Sequence, residues 1–281
     1  MSRATIAIAQ LPLEDGRVDA NFGRIEAVAK RYGPNHDVVL YPEATVTGFP
    51  PPDVAASLAE PLDGPVVQRL TTLAAEVGSV LVAGMLEREG ERVYNTSVMV
   101  GPEGLLLSYR KTHLWMGEAA RVAPGDAFRC RTWNGACWGL LVCYDIEFPE
   151  TARAVASIGA EVILVTNGNM APYGPTHRNA LRARAQENQV FVAMANRVGI
   201  AGNTSYVGES AMANPYGEVM GALGHDEGVL SVSVDTATVH DSRRDYDYLA
   251  ERRLPIGVEP VTTDGPVRAC RIRVGEGGST P

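Results

Sequence analysis

Apolar residues recur along the chain at two spacings, one for strands and one for helices, and the changes between them mark the elements. Residues 5–11 alternate and then run apolar, residues 21–31 carry apolar side chains at helical spacing, and residues 37–41 form a short apolar run closed by Pro42. This predicts strand, helix, strand, and Glu43 stands just past the last of them. Residues 65–77 repeat the helical pattern behind a Gly-Pro start. Residues 79–86, 93–100 and 105–109 read as strands separated by glycine or charged turns, so Lys111 also follows a strand. A seven-residue apolar run, 136–142, delivers Cys143. The next segment, 149–158, is predicted helical, with a proline at its start and Gly159 as its stop. The alternation continues through a strand at 161–166, a helix at 176–188, a strand at 190–195, a Gly- and Asn-rich loop, and strands at 206–212 and 229–234. Strands alternating with helices in this way predict an α/β fold.

Past residue 255 the composition shifts to Pro, Gly, Thr and charges, and the only further pattern is a short strand at 267–274. The expectation is one domain over residues 1–254 and a C-terminal tail, 255–281, that docks at an interface with a partner or is partly disordered. No internal repeat or low-complexity block is present.

The length of 281 residues is near the upper size for one core, and the 45% hydrophobic content is that of an ordinary globular protein. No stretch approaches about 18 consecutive apolar residues, and the N-terminal sequence breaks into polar residues too early for a signal peptide, so a cytoplasmic protein is expected. The net charge of -8 is spread along the chain, which argues against a nucleic-acid partner. Cys130, Cys137, Cys143 and Cys270 are spaced by 7, 6 and 127 residues, which is neither a zinc pattern nor a disulfide framework. The five histidines form no HExxH motif, so neither a metal nor a cofactor is expected.

Taken singly, Glu43, Lys111 and Cys143 have ordinary explanations, since a cysteine closing an apolar strand is most often an inert core residue. Taken together, an acid, a cation and a thiol at three strand ends supply what amide hydrolysis requires. Cys143 would attack as a thiolate, favoured by the nearby cation and by the positive end of the following helix. Glu43 would carry the proton, and Lys111 would hold the oxyanion with the backbone N–H of Tyr144. No His stands beside the Cys in a papain-like pattern and no G-x-S-x-G motif occurs, which leaves the glutamate as the base.

The segments YPEATVTGF, YRKTHLW and LVCYDIEFPE resemble the three signature blocks of the nitrilase superfamily, the carbon–nitrogen hydrolases, in order and spacing over residues 4–250. The resemblance implies a four-layer αββα sandwich, assembly as a homodimer or higher homo-oligomer, and Glu43, Lys111 and Cys143 as base, oxyanion stabiliser and nucleophile. It also implies a second glutamate, Glu118, orienting Lys111 and the substrate amide, although the aromatic residue common before Pro124-Gly125 is missing here. Cys143 is followed by Tyr144-Asp145 rather than the Trp-Glu typical of true nitrilases. That likeness is to aliphatic amidases of the 5-aminopentanamidase type and to stereoselective amidases, acting on small primary amides through a thioester. Hydrolysis of N-carbamoyl amino acids or ureido acids, with Arg178 or His177 anchoring a carboxylate, is the alternative, and nitrile hydrolysis is a further one. Trp115, Asn169, Met170 and Tyr173 are expected pocket walls. Arg184 and Glu187 are expected to pair on one helix face as scaffolding.

Overall fold

The computed structural model describes residues 2–253, 257–261 and 265–273. The first half of the chain builds one sheet. β1 (Arg3–Pro12), β2 (Val38–Leu40) and β3 (Val80–Glu89) run parallel, and β4 (Arg92–Gly101) and β5 (Gly104–Arg110) continue the sheet as an antiparallel meander. The intervening helices are α1 (Val18–Tyr32), the short α2 (Pro52–Leu58) and α3 (Pro65–Val77). Successive residues of β1 show why this strand reads as an apolar run. Ala7 and Ala9 pack with Phe22 and Ile25 of α1 and Leu70 of α3, whereas Ile6 and Ile8 belong to the core on the opposite face. α3 starts with Pro65 and stops at Gly78, whose φ of 68° is the left-handed conformation that ends helices.

The second half repeats the plan. β6 (Phe128–Trp133) is antiparallel to β7 (Ala136–Val142), which runs parallel to β8 (Val162–Asn167) and β9 (Phe191–Ala201). The helices α4 (Pro149–Ser157) and α5 (Gly174–Asn188) lie between them in sequence. Beyond β9 come β10 (Thr204–Val207), β11 (Ala211–Ala213), β12 (Val219–Ala222), β13 (Gly228–Asp235) and the short α6 (Ala237–Ser242). β13 crosses back to pair with β1, and β1 meets β9 through Leu11 and Arg197, which joins the two sheets at one corner. Ile6, Ile8, Val82 and Met99 of the first sheet share one core with Leu140, Val142 and Leu164 of the second, and Val155 of α4 and Leu181 of α5 pack on that second sheet. The layers are therefore helix, sheet, sheet, helix: the αββα sandwich.

Three expectations are corrected. The strand expected at 206–212 is two strands, β10 and β11, because Gly208 and Glu209 both take positive φ, 69° and 59°. Both strands pair with β9, one after the other, so β9 runs past 195 to Ala201. The thiolate at Cys143 was expected to face the start of a helix, yet a 3-10 turn (Cys143–Glu147) lies between it and α4. The boundary at residue 254 does not separate a tail from the sheet: β14 (Gly257–Val261) and β15 (Val267–Arg273) form a hairpin, and β15 pairs with β6. Its partner strand lies more than a hundred residues away in sequence, which is why composition alone set the segment apart. The rest of the expected tail, including the last residue of the strand expected at 267–274, lies outside the described residues.

Candidate active site

The carboxyl ends of β2, β5, β7 and β8 converge, and a ligand crevice at the ends of parallel strands is the usual place for a site in such sheets. Glu43, three residues past β2, is 1% exposed, and Lys111, directly after β5, is also 1% exposed. Lys111 Nζ donates to Glu43 Oε1 at 2.8 Å and to both oxygens of Glu118 at 3.0 and 2.8 Å. Glu118, 9% exposed, sits on a short 3-10 turn and also accepts the Trp115 N–H at 2.5 Å. Cys143, directly after β7 and 8% exposed, hydrogen-bonds the Glu43 carboxylate. Thus the structure gathers all four residues, which come from positions up to 100 residues apart. Cys143 holds a φ of 43°, a left-handed backbone that costs a residue other than glycine about 1–3 kcal/mol and is kept only where the surroundings enforce it.

The resting protonation of the site follows from burial and its neighbouring charges. Burial pushes the Cys143 thiol well above its usual range and the Glu43 charge adds to this, while Lys111 and the Gly168 N–H pull it down without prevailing. Burial likewise raises Glu43, against the pull of Lys111. Burial alone would lower the Lys111 ammonium, but the facing Glu43, then Cys143 and Glu118, hold it above its ordinary value. At neutral pH the site therefore rests as a thiol beside an ammonium, with a carboxylate that accepts a proton more readily than usual.

These groups floor a cavity of about 670 Å³. Trp115, Asn169, Met170 and Tyr173, the expected walls, all line it, and so does Tyr144, expected to contribute its backbone N–H. Trp115 meets Tyr144 and Tyr173 edge to face, with ring centroids 4.8 and 5.0 Å apart. His177 also reaches the cavity and bonds Glu147 at 3.0 Å. Arg178 pairs instead with Glu209 and is not among the lining residues, so the carboxylate anchor weighed for it is already engaged. Arg184 and Glu187 pair at 2.7 Å, as their spacing predicts, and Arg184 further donates to the carbonyls of Ile146 and Glu147.

Three contributors escaped the sequence reading. Asn95 of β4 donates to Glu43 Oε1 at 2.7 Å and so holds the carboxylate from the side opposite its own strand. Gly168, at the end of β8, lies so close to Glu43 that a Cβ there would fall 2.7 Å from Oε2; only glycine fits. Asp145, two residues after Cys143, is fully buried and accepts hydrogen bonds from both the Lys111 loop and the end of β7.

An αββα sandwich carrying a thiol, two carboxylates and an ammonium at its strand ends is the class of structure that the nitrilase-like segments imply. The carbon–nitrogen hydrolase family model matches residues 5–244, and the chain belongs to that family. It is 46% identical over 257 residues to an (R)-stereoselective amidase from a Pseudomonas species, covering 90% of this chain and 93% of that protein. Its structure superposes with a TM-score of 0.85 on a carbon–nitrogen hydrolase superfamily protein from Xanthomonas campestris, 27% identical, covering 91% of this chain and 99% of that one; that protein carries an arsenic adduct in its active site. An amidase from Nesterenkonia sp. AN1, 30% identical with a TM-score of 0.80 and covering 90% of this chain and 94% of its own, has been solved as a glutamate-to-glutamine mutant with the acetamide moiety of fluoroacetamide added covalently at the active-site cysteine.

Proposed function

We propose that the protein is an amidase that hydrolyses small aliphatic primary amides to the carboxylic acid and ammonia through a thioester on Cys143. The observation that carries this reading is the contact chain at the cavity floor: a thiol on a carboxylate, and that carboxylate on an ammonium clamped by a second carboxylate. Because the thiol is held protonated, attack and deprotonation occur together. As Sγ bonds to the carbonyl carbon, its proton passes to Glu43, and the negative oxygen is met by Lys111 Nζ and the Tyr144 N–H. Glu43 then protonates the nitrogen, the C–N bond breaks and ammonia leaves. A water gives its proton to Glu43 and attacks the thioester; the C–S bond breaks, and the proton returns to sulfur as the acid departs. Glu118 keeps Lys111 in place through two bonds, and Trp115, Tyr144, Asn169 and Tyr173 enclose the acyl group. The similarity to an (R)-stereoselective amidase, and to an amidase structure with a covalent adduct at its active-site cysteine, supports the same reading.

Ammonia release from a panel of short amides by the wild type and by Cys143→Ala tests the proposal, and equal rates in both would reject it. Faster turnover of the matched nitriles would replace it with a nitrilase. Ureido acids test the carbamoyl alternative, which the Arg178–Glu209 pair disfavours. The reading includes a cytoplasmic homo-oligomer. In its favour, Tyr216 and Tyr246 are half exposed beside a groove along α5, and no helix among the described residues is long and apolar enough to cross a membrane. Sedimentation equilibrium at micromolar protein tests the assembly, and a monomer there would reject it.

A further inference from the structure

Asp145 does not itself line the cavity, yet both of its oxygens are committed to the two chain segments that carry reacting groups. Oδ1 accepts the Thr112 hydroxyl at 2.7 Å, the His113 N–H at 2.9 Å, and lies 3.0 Å from His113 Nδ1. Thr112 and His113 are the two residues after Lys111. Oδ2 accepts the Tyr109 hydroxyl at 2.9 Å, two residues before Lys111, and the Val142 N–H at 3.3 Å, one residue before Cys143. Burial, then the carboxylate itself, keeps the Tyr109 phenol well above its ordinary pKa, so it stays a donor. The carboxylate is 0% exposed, and among the described residues its salt-bridge contact is with the His113 ring and not with a Lys or Arg.

A carboxylate so deeply buried is costly unless its lone pairs are filled, and the Thr112 and Tyr109 hydroxyls with the His113 and Val142 N–H groups, four donors, fill these. They are distributed so that one rigid group spans β5, the Lys111 loop and the end of β7. The left-handed backbone of Cys143 lies between two residues of that arrangement, Val142 and Asp145. Resting on the proposed amidase reading, we infer that Asp145 is a positioning residue: it sets the separation of Lys111 and Cys143 and holds the nucleophile in its strained turn. It never exchanges a proton with substrate. An asparagine of the same shape has one acceptor oxygen where the carboxylate has two, so its NH2 group must face either the Val142 and Tyr109 donors or the Thr112 and His113 donors.

The test is the burst of p-nitrophenolate released when Cys143 is acylated by p-nitrophenyl acetate. An activated ester needs no proton for its leaving group, so the burst reports Cys143 and Lys111 even if amides prove not to be the substrate; that outcome would remove the amidase reading and leave this one standing. In Asp145→Asn, folded by circular dichroism, the burst rate constant should fall about 10²-fold, the loss expected from a small misplacement of reacting groups. Where amides are turned over, kcat should fall with KM unchanged. Leu70→Ala, in the outer helix layer on the far side of the first sheet, supplies a control with lowered Tm and an unchanged burst. A wild-type burst in folded Asp145→Asn, or an equal slowing in Leu70→Ala, overturns the inference. If Asp145→Asn does not fold, Thr112→Val removes one Oδ1 donor and should slow the burst several-fold; an unchanged burst there overturns it as well.

Discussion

Two regions of the molecule bury thiols, and they are built in opposite ways. On β6 and β7, Cys130 and Cys137 are diagonal neighbours in a regular antiparallel pair, since Cys137 faces Thr132 and Cys130 faces Gly139. Arg268 of β15 donates to Cys137 Sγ at 2.9 Å. The neighbouring Cys130 and then the Arg268 charge, working against burial, bring the Cys137 thiol down to about 7. At Cys143 burial and Glu43 push the other way, so the thiol beside the cavity is the less acidic of the two. Acidity therefore does not pick out the nucleophile in this protein. Cys143 differs from Cys137 in lying on the cavity wall, in contacting a carboxylate that can take its proton, and in a backbone turned to present its sulfur.

The sharpest way to break this comparison is to remove each thiol in turn. Cys143→Ala should lower kcat for amide hydrolysis by at least about 10³-fold, the scale of losing a nucleophile. Cys137→Ala should leave kcat within about twofold of wild type, as expected for a group that takes no part in transition-state binding. A loss of activity in Cys137→Ala with the fold intact would make acidity the deciding property after all. The next largest effect is expected at the base. Glu43→Gln should cost about 10²- to 10⁴-fold in kcat/KM. The wild-type rate should fall as pH drops through the Glu43 titration, and because burial raises that pKa, the acid limb should lie above the usual carboxylate range. Glu43→Gln should lack this limb, and a pH–rate profile of both proteins decides the point.

Much of this contrast was visible in the sequence, because Glu43, Lys111 and Cys143 each follow an apolar run that they end. The bounding signals of the helices held too: Pro65 and Pro149 start α3 and α4 as expected, and α4 ends at Ser157, just before the expected stop Gly159. What stayed hidden depends on contacts between distant segments. Asn95 sits in a run of three polar residues, Asn95-Thr96-Ser97, which gives no sign of burial, yet it meets a carboxylate 52 residues away. Asp145 is distinguished only by donors supplied from Tyr109, Thr112 and His113. β6 carries arginines at alternate positions, which masked a strand whose other face is buried. Likewise, nothing in Arg268 itself shows that it will lie against Cys137.

Chemical trapping sharpens the comparison on a smaller scale. Cys143 reaches the cavity and Cys137 does not, so iodoacetamide near pH 8, with the modified peptides mapped, should alkylate Cys143 first despite its higher pKa. Alkylation of Cys137 first would mean that thiolate fraction outweighs access.

The smallest effect is expected at Arg268, where the sign can still be read. A thiol depressed to about 7 in the folded chain, against an ordinary value of 9.0, contributes stability that is fully present above the unfolded pKa and is lost as pH falls through the folded one. Cys130, pushed up by its Cys137 neighbour and by burial, does not titrate in that window. Arg268→Ala removes a cation that favours the Cys137 thiolate, so its Tm deficit relative to wild type should widen between about pH 6 and about pH 9, the span around these two values. Arg268 is exposed, so the deficit should correspond to under about 1 kcal/mol. Amide turnover should not change, since the hairpin bearing Arg268 packs on β6 and stands apart from the cavity. A constant deficit across that range would show that Arg268 holds the hairpin by packing alone. A fall in turnover would instead mean that the two thiol regions are coupled through β7, which carries Cys137 near one end and leads into Cys143 at the other.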